Sequence, residues 1–201
     1  SLLMRFYDVD EGAIRIDGRD IRKVTVETLR KQLGVVPQEP FLFQGTIAYN
    51  IAFGRPDATR EEVVAAAKAA NAHEFIAALP GGYDTEIQEE STNLSLGQRQ
   101  LVCLARVILS QPKILVLDEA TSSVDLRTEG LIQDAMETLM SGRTSLVIAH
   151  RLATVQRASK ILVIDGGRIV EEGTHEELLE QKGLYAHLYE TQFLAPVLEQ
   201  I

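Results

Sequence analysis

Apolar residues recur along the chain at two different spacings, and the alternation of these spacings predicts helices and strands in turn. In residues 96–110 the apolar side chains lie three or four positions apart, which predicts an amphipathic helix that stops at Gln111–Pro112. Residues 114–117 then form a short, uniformly apolar run, which is typical of a strand covered on both faces of a parallel sheet. This succession of helix and strand predicts an α/β fold.

The rest of the chain continues the alternation of short apolar strands and amphipathic helices. Strands are predicted at residues 13–17, 33–36 and 143–148, and as a hairpin at residues 160–165 and 168–172. Helices are predicted at residues 25–32, 59–70, 73–79 and 127–139, and after Thr174 and Gly183. In residues 41–53, spacing alone favours a core position for Phe41, Phe43 and Tyr49.

The composition is that of one sizeable globular domain. The 201 residues are 45% hydrophobic and 24% charged, and no run approaches the roughly 18 apolar residues that a membrane span needs. The N-terminus lacks the basic and then apolar layout of a signal peptide. A formal charge of −9 and a pI near 5.0 argue against a nucleic-acid-binding surface. Cys103 lies among apolar residues and is predicted to pack in the core.

A helix start at Ser95 is the first candidate binding element. Ser95 and Gln98 have the spacing of a capping box directly before the amphipathic run, so a helix should begin at about Leu96. Unpaired backbone N–H groups and the helix dipole would let Ser95, Gly97 and Gln98 bind an anion. Gly97 would let a phosphate approach the backbone. On these residues alone, an ordinary capped helix is the simpler interpretation.

Two acidic residues after the apolar strand are the second candidate. Asp118 and Glu119 stand at the carboxyl end of this strand, where open α/β sheets bind their ligands. Asp118 could hold a magnesium ion through its water shell, and Glu119 could orient or deprotonate an attacking water. Strands often end in acidic residues, so the pair is specific only together with the helix start that precedes it.

Together these segments resemble motifs of the ATP-binding cassette (ABC) ATPases. LSLGQ at residues 94–98 is similar to the signature motif, ILVLDE at 114–119 to Walker B, and SSVD at 122–125 to the D-loop. Gln38, in VVPQEP, matches the glutamine of the Q-loop, and His150, in IAHRLATV, matches the histidine of the H-loop. The resemblance extends over nearly the whole chain.

The resemblance implies a role for each matching residue in an ATP site that two cassettes share. One cassette would supply what we call the Walker half: Gln38, Asp118, Glu119 and His150. In it, Asp118 and Gln38 would hold Mg²⁺, and Glu119, His150 and Gln38 would act on the γ-phosphate and the attacking water. The other cassette would supply what we call the signature half, which binds ATP from the opposite side: Ser95, Leu96, Gly97, Gln98 and Asp125.

For the fold, the resemblance implies a RecA-like P-loop NTPase core with an inserted α-helical subdomain at about residues 56–110. No G-x-x-x-x-G-K-[ST] pattern occurs in the 201 residues. We therefore expect residues 1–201 to be an ABC ATPase domain truncated at its N-terminus, with negligible nucleotide binding on its own. Residues 84–92, DTEIQEEST, replace a loop that in exporter cassettes usually contains glycine and arginine.

The function implied by the resemblance is that of the nucleotide-binding domain of an ABC exporter, which binds and hydrolyses ATP with Mg²⁺ to power transmembrane export. Its partners would be a transmembrane domain, whose coupling helices dock on residues 41–53, and a second cassette in a head-to-tail dimer. We expect it at the cytoplasmic face of a membrane and without nucleic acid. Two alternatives stay open: a soluble ABC ATPase of the repair or translation type, and a non-catalytic dimerisation or regulatory cassette.

Overall fold

The computed structural model of the chain describes residues 1–87, 93–118, 124–149 and 152–191. The chain forms two compact units, Ser1–Val147 and Ile148–Ile201. The first unit contains a parallel sheet and the longest helices, and the second contains a β-hairpin with short helices.

The first unit alternates strands and helices and contains every element predicted for it. Its strands are β1 (Arg15–Ile16), β2 (Arg19–Asp20), β3 (Leu33–Val36), β4 (Gly45–Thr46), β5 (Glu86–Ile87), β6 (Ile114–Asp118) and β7 (Thr144–Ile148), which crosses the boundary between the units by one residue. Its helices are α1 (Val26–Lys31), α2 (Ile47–Ala52), α3 (Arg60–Ala69), α4 (His73–Ala78), α5 (Leu96–Ser110) and α6 (Leu126–Met140). Strands β2, β4 and β5 and helix α2 were not predicted, and β1 is shorter than the strand predicted at residues 13–17.

The main sheet of the first unit has three strands in the order β3-β6-β7. Strands β3 and β6 are parallel, with Leu33 opposite Ile114 and Val36 opposite Leu117. Leu115 and Leu117, on the central strand, have no solvent exposure. The predicted α/β fold with a parallel sheet is thus confirmed.

Helix α5 lies at the centre of the core of the first unit. Its Leu101, Val102, Leu104 and Ala105 are at most 1% exposed and pack with buried residues of α2, α3, β6 and α6. Gln111 ends the helix in a left-handed conformation, with a φ of 49°, and Pro112 follows it. The bounds of a separate helical subdomain at residues 56–110 remain a prediction, because these helices share one core with the sheet.

Two expectations about burial are wrong. Phe41 is 62% exposed and Tyr49 is 49% exposed, because Ile47, Asn50 and Ile51 occupy the buried face of α2 and leave Tyr49 on the outer face. The apolar run at residues 144–148 also predicts a strand that is buried on both faces, but alternate residues of β7 are exposed, with Leu146 at 51% and Ile148 at 54%.

The second unit consists of a hairpin and short helices, as predicted. Strands β8 (Ile161–Asp165) and β9 (Arg168–Gly173) pair antiparallel, and its helices are α7 (Leu152–Gln156), α8 (His175–Gln181) and α9 (Leu184–Tyr189). Gly166 and Gly167 form the turn with positive φ angles of 53° and 75°, which glycine adopts without strain. Val163, Leu178 and Tyr185 form the small core of this unit.

None of the helices in the described ranges combines the length and the apolar composition that crossing a bilayer requires.

Candidate functional site

The N-terminus of α5 has the capping box that its sequence predicts. The Gln98 backbone N–H donates to Ser95 Oγ at 3.2 Å, and the Ser95 N–H donates to Gln98 Oε1 at 3.0 Å. Ser95 has an extended backbone, and the first three helical residues are Leu96, Gly97 and Gln98. The predicted helix start at Leu96 is confirmed.

This helix start has the chemistry of an anion site. The backbone N–H groups of the first helical turn have no acceptor within the helix, and the helix dipole adds positive potential there. Ser95 uses its oxygen as an acceptor in the cap, so its hydroxyl hydrogen is still available for donation to a phosphate. Ser95 is exposed, whereas Gly97 is buried. Binding of ATP by this turn is a prediction that no contact in the structure tests.

Asp125 caps the neighbouring helix α6. The Thr128 backbone N–H donates to Asp125 Oδ1 at 3.0 Å. Hydrogen bonds from the Thr128 backbone and side chain hold the pKa of Asp125 below its usual value, so this exposed carboxylate stays ionised at neutral pH. The starts of α5 and α6 are also in contact, because Gly97 packs against Val124 and Thr128.

Gln38 and Asp118 lie at the same edge of the parallel sheet. Val36 pairs with Leu117, so the residues that follow them leave adjacent strands at their carboxyl ends. Asp118 is half-buried and Gln38 is exposed. Glu119 and His150, the other members of the Walker half, lie outside the described residues, as do residues 88–92 of the loop that departs from the exporter pattern.

The donors at this edge fit a magnesium ion. Mg²⁺ prefers oxygen ligands, keeps several waters, and is usually held by one or two carboxylates together with substrate phosphates. A carboxylate at Asp118 and an amide oxygen at Gln38 meet that requirement. In the part of the chain that the structure describes, no group of three or more His, Cys, Asp or Glu side chains could hold a metal by itself.

A polar network joins α2 and α5, and sequence patterns do not predict it. Arg106 donates from Nε to the Asn50 backbone oxygen at 2.8 Å, from one terminal nitrogen to Asn50 Oδ1 at 2.9 Å, and from the other to the Phe41 oxygen at 3.1 Å. Asn50, which has no solvent exposure, also bonds both backbone groups of Phe43. The only signal in the sequence is an asparagine inside a short apolar helix, where its propensity is poor.

A cluster of four aromatic side chains lies next to this network, and we call it the aromatic surface: Phe41, Phe43, Tyr49 and Phe53. Phe43 stacks on Phe53 with ring centroids 4.1 Å apart, and the Arg106 guanidinium lies 5.3 Å from the Phe43 centroid. Because Phe41, Tyr49 and Phe53 are all at least 45% exposed, the surface is available to a partner.

Cys103 packs in the core, as its sequence context predicts, and two histidines contact tyrosine hydroxyls. The Cys103 side chain is buried, and its burial raises the pKa of the thiol. His73 Nδ1 lies 2.9 Å from the hydroxyl of Tyr83, and His175 Nδ1 lies 2.7 Å from that of Tyr185.

Comparisons with known proteins agree with the fold and the motifs. The sequence model of the ABC transporter family matches residues 1–122. YfiC, an ABC transporter ATP-binding protein of Bacillus subtilis, is 54% identical over 193 residues, which cover 96% of this chain and 32% of that protein. A Staphylococcus aureus protein, named as a multidrug export ATP-binding/permease protein, is 53% identical over 194 residues, with 96% and 34% covered.

A solved structure is also closely similar. It is described as a bacterial Atm1-family ABC exporter with ATP bound, and it matches with a TM-score of 0.87 and 51% identity over 95% of this chain and 33% of that one. The fold and motifs are therefore those of an exporter-type ABC nucleotide-binding domain with a RecA-like P-loop NTPase core. The chain belongs to the ABC transporter family. It spans about a third of the length of the relatives it matches.

Proposed function

We propose that this chain is the part of an ABC exporter that binds and hydrolyses ATP to drive transport across a membrane. The observation that supports the proposal is the placement of two groups of motif residues on one unit. Ser95 and Asp125 cap two adjoining helix starts, whereas Gln38 and Asp118 share the carboxyl edge of the sheet. Half-sites that differ in this way are what a nucleotide held between two cassettes requires.

In the Walker half, Asp118 and Gln38 would hold a magnesium ion, through water or directly. Glu119 follows Asp118 in sequence and orients or deprotonates the attacking water. His150 hydrogen-bonds the γ-phosphate. A bound magnesium ion would supply neutralisation of the phosphate charge, and the contribution of these side chains is mainly to position the water and the phosphate.

In the signature half, the first turn of α5 donates to the γ-phosphate of an ATP that a second cassette holds. Ser95 donates through its hydroxyl, Leu96 and Gly97 through their backbone, and Gln98 through its side chain. Asp125 links the two cassettes across the interface. A head-to-tail dimer with two bound ATP molecules brings each signature half to the partner's Walker half. Neither half can hydrolyse ATP alone.

The aromatic surface is proposed to receive a coupling helix of the transmembrane domain. Its side chains are exposed and apolar, and they lie over the same α5 whose N-terminus carries the signature half. This contact would hold the chain at the cytoplasmic face of the membrane. The net charge of −9 and the names of the relatives favour an exporter over a nucleic-acid-associated ATPase of the repair or translation type.

The proposal is tested by measuring ATP hydrolysis by the full-length protein that carries this chain, purified and reconstituted in lipid vesicles. We expect magnesium-dependent release of phosphate from ATP that stops when EDTA removes the metal. Two results would count against the proposal: no turnover by a protein that binds ATP, which would favour the non-catalytic cassette, and turnover by a protein without membrane-spanning segments, which would favour a soluble ATPase.

A further inference from the structure

The packing around Gly97 explains why glycine occupies this position, which the signature motif alone does not explain. Gly97 is the second residue of α5 and is buried at the point where this helix start meets the start of α6. A Cβ atom built on Gly97 would overlap Thr128 Cγ2 and would lie 3.0 Å from Val124 Cγ1 and 3.3 Å from Thr128 Cβ. Carbon atoms in favourable contact are about 3.5–4.0 Å apart, so a side chain here has no room.

Thr128 cannot easily move away. Thr128 is β-branched and lies in a helix, where χ1 has few allowed rotamers. Its hydroxyl and its backbone N–H are both bonded to Asp125, which caps α6. Rotating Thr128 to make room for a side chain at position 97 would therefore disturb the cap at Asp125.

The direction in which a side chain at position 97 would point distinguishes a packing role from a ligand-binding role. The three atoms nearest to the Cβ position of Gly97 belong to Val124 and Thr128 of the same chain. A glycine needed only for the close approach of a ligand would have its Cβ direction open to solvent. Here the Cβ direction is filled by protein, and the backbone N–H groups of the turn are left to face a ligand.

We propose that Gly97 is a positioning residue that seats the start of α5 against the start of α6. The contact makes Ser95 and Asp125 parts of one rigid unit, so that both reach the partner's nucleotide together. The inference rests on the proposed function, because it assigns the contact a role in ATP turnover, but the contact itself can be tested separately.

The test is a double-mutant cycle in the full-length protein. Gly97→Ala introduces the clash, and Thr128→Ser removes the clashing Cγ2 while keeping the hydroxyl that bonds Asp125. Gly130→Ala is the matched control, since it makes the same change inside α6, where nothing lies within 4 Å of a new Cβ. The melting temperature and the kcat and KM for ATP are measured for each variant and for the Gly97→Ala/Thr128→Ser protein.

We expect Gly97→Ala to lower the melting temperature by about 4–8 °C. We expect its kcat to fall about 10- to 100-fold with a smaller change in KM, because displacing the signature turn misplaces groups that act in the transition state. The added Thr128→Ser should restore most of both losses, although Val124 Cγ1 still lies 3.0 Å from the new Cβ. Gly130→Ala should leave kcat unchanged.

Two outcomes would overturn the inference. One is a Gly97→Ala protein that behaves like the Gly130→Ala control. The other is a Gly97→Ala defect that Thr128→Ser does not relieve, since the contact with Thr128 would then not be its cause. If the wild-type protein does not hydrolyse ATP, the proposed function fails, and the melting temperatures alone test the contact. Recovery of the melting temperature on adding Thr128→Ser to Gly97→Ala supports the contact, and no recovery refutes it.

Discussion

Replacing Glu119 by glutamine in the full-length protein is expected to stop ATP turnover while leaving ATP binding intact. Glutamine keeps the size of the side chain and its ability to accept one hydrogen bond, but it cannot take a proton from water. Loss of a general base typically costs about 100- to 10,000-fold in rate. The measurements are kcat for ATP hydrolysis and equilibrium binding of radiolabelled ATP to the same preparation.

The matched control for Glu119→Gln is Glu74→Gln, which removes the same charge from an exposed position on α4. We expect this variant to retain wild-type turnover. Unchanged turnover in Glu119→Gln would refute the assignment of the base, and loss of ATP binding would mean that the carboxylate acts in binding rather than in proton transfer.

Replacing Arg106 by methionine is expected to destabilise the first unit by about 3 kcal/mol, because three hydrogen bonds of a charged donor are lost. Two of them reach the backbone oxygen and Oδ1 of Asn50 in partly buried positions, and the third reaches the exposed backbone oxygen of Phe41. Since the guanidinium is partly desolvated, which lowers the pKa of Arg106, part of the loss is offset by the removal of a buried charge. For a unit of this size, the melting temperature should fall by roughly 6–12 °C.

Arg60→Met is the matched control for this substitution. Arg60 also makes two hydrogen bonds, to Asp84 at 2.9 and 3.0 Å, and lies 5.0 Å from the ring of Tyr83, but its side chain is 46% exposed. Exposed ion pairs contribute at most about 1 kcal/mol. We therefore expect a shift of no more than about 2–4 °C, measured by calorimetry of the full-length protein. Equal shifts in the two variants would contradict a special role for the Arg106 network.

Local patterns were sufficient to predict the elements that bear the motifs. Helix α5 has both a capping box at Ser95 and a stop at Pro112, and these signals depend on neighbours in sequence. The strand at residues 114–117 was recognised by its continuous apolar run, which follows from its central position in a parallel sheet. The pairing of β3 with β6 then brought Gln38 and Asp118 to one edge.

Features that depend on contacts between distant residues were not predicted. The exposure of Phe41 and Tyr49 follows from which face of α2 the core occupies, and spacing in so short a helix did not define that face. The bonds between Asn50 and Arg106 join residues 56 positions apart. The packing of Gly97 on Thr128 also depends on how two helices meet, so the motif suggested only an open approach for a phosphate.

The central claim is that each ATP-binding site consists of the Walker half of one cassette and the signature half of a second cassette. Mixed dimers test this claim most directly. Two copies of the full-length protein with different tags are co-expressed, and mixed dimers are isolated by two successive affinity steps. One mixed dimer has Glu119→Gln in one copy and Ser95→Arg in the other. The second has both substitutions in one copy and none in its partner.

A head-to-tail site predicts turnover by the first dimer only. In that dimer, the unsubstituted Walker half meets an unsubstituted signature half and one site stays intact, whereas in the second dimer each site contains one damaged half. The opposite result, turnover by the second dimer and none by the first, would mean that both halves of a site come from the same chain. It would contradict the account given for this protein.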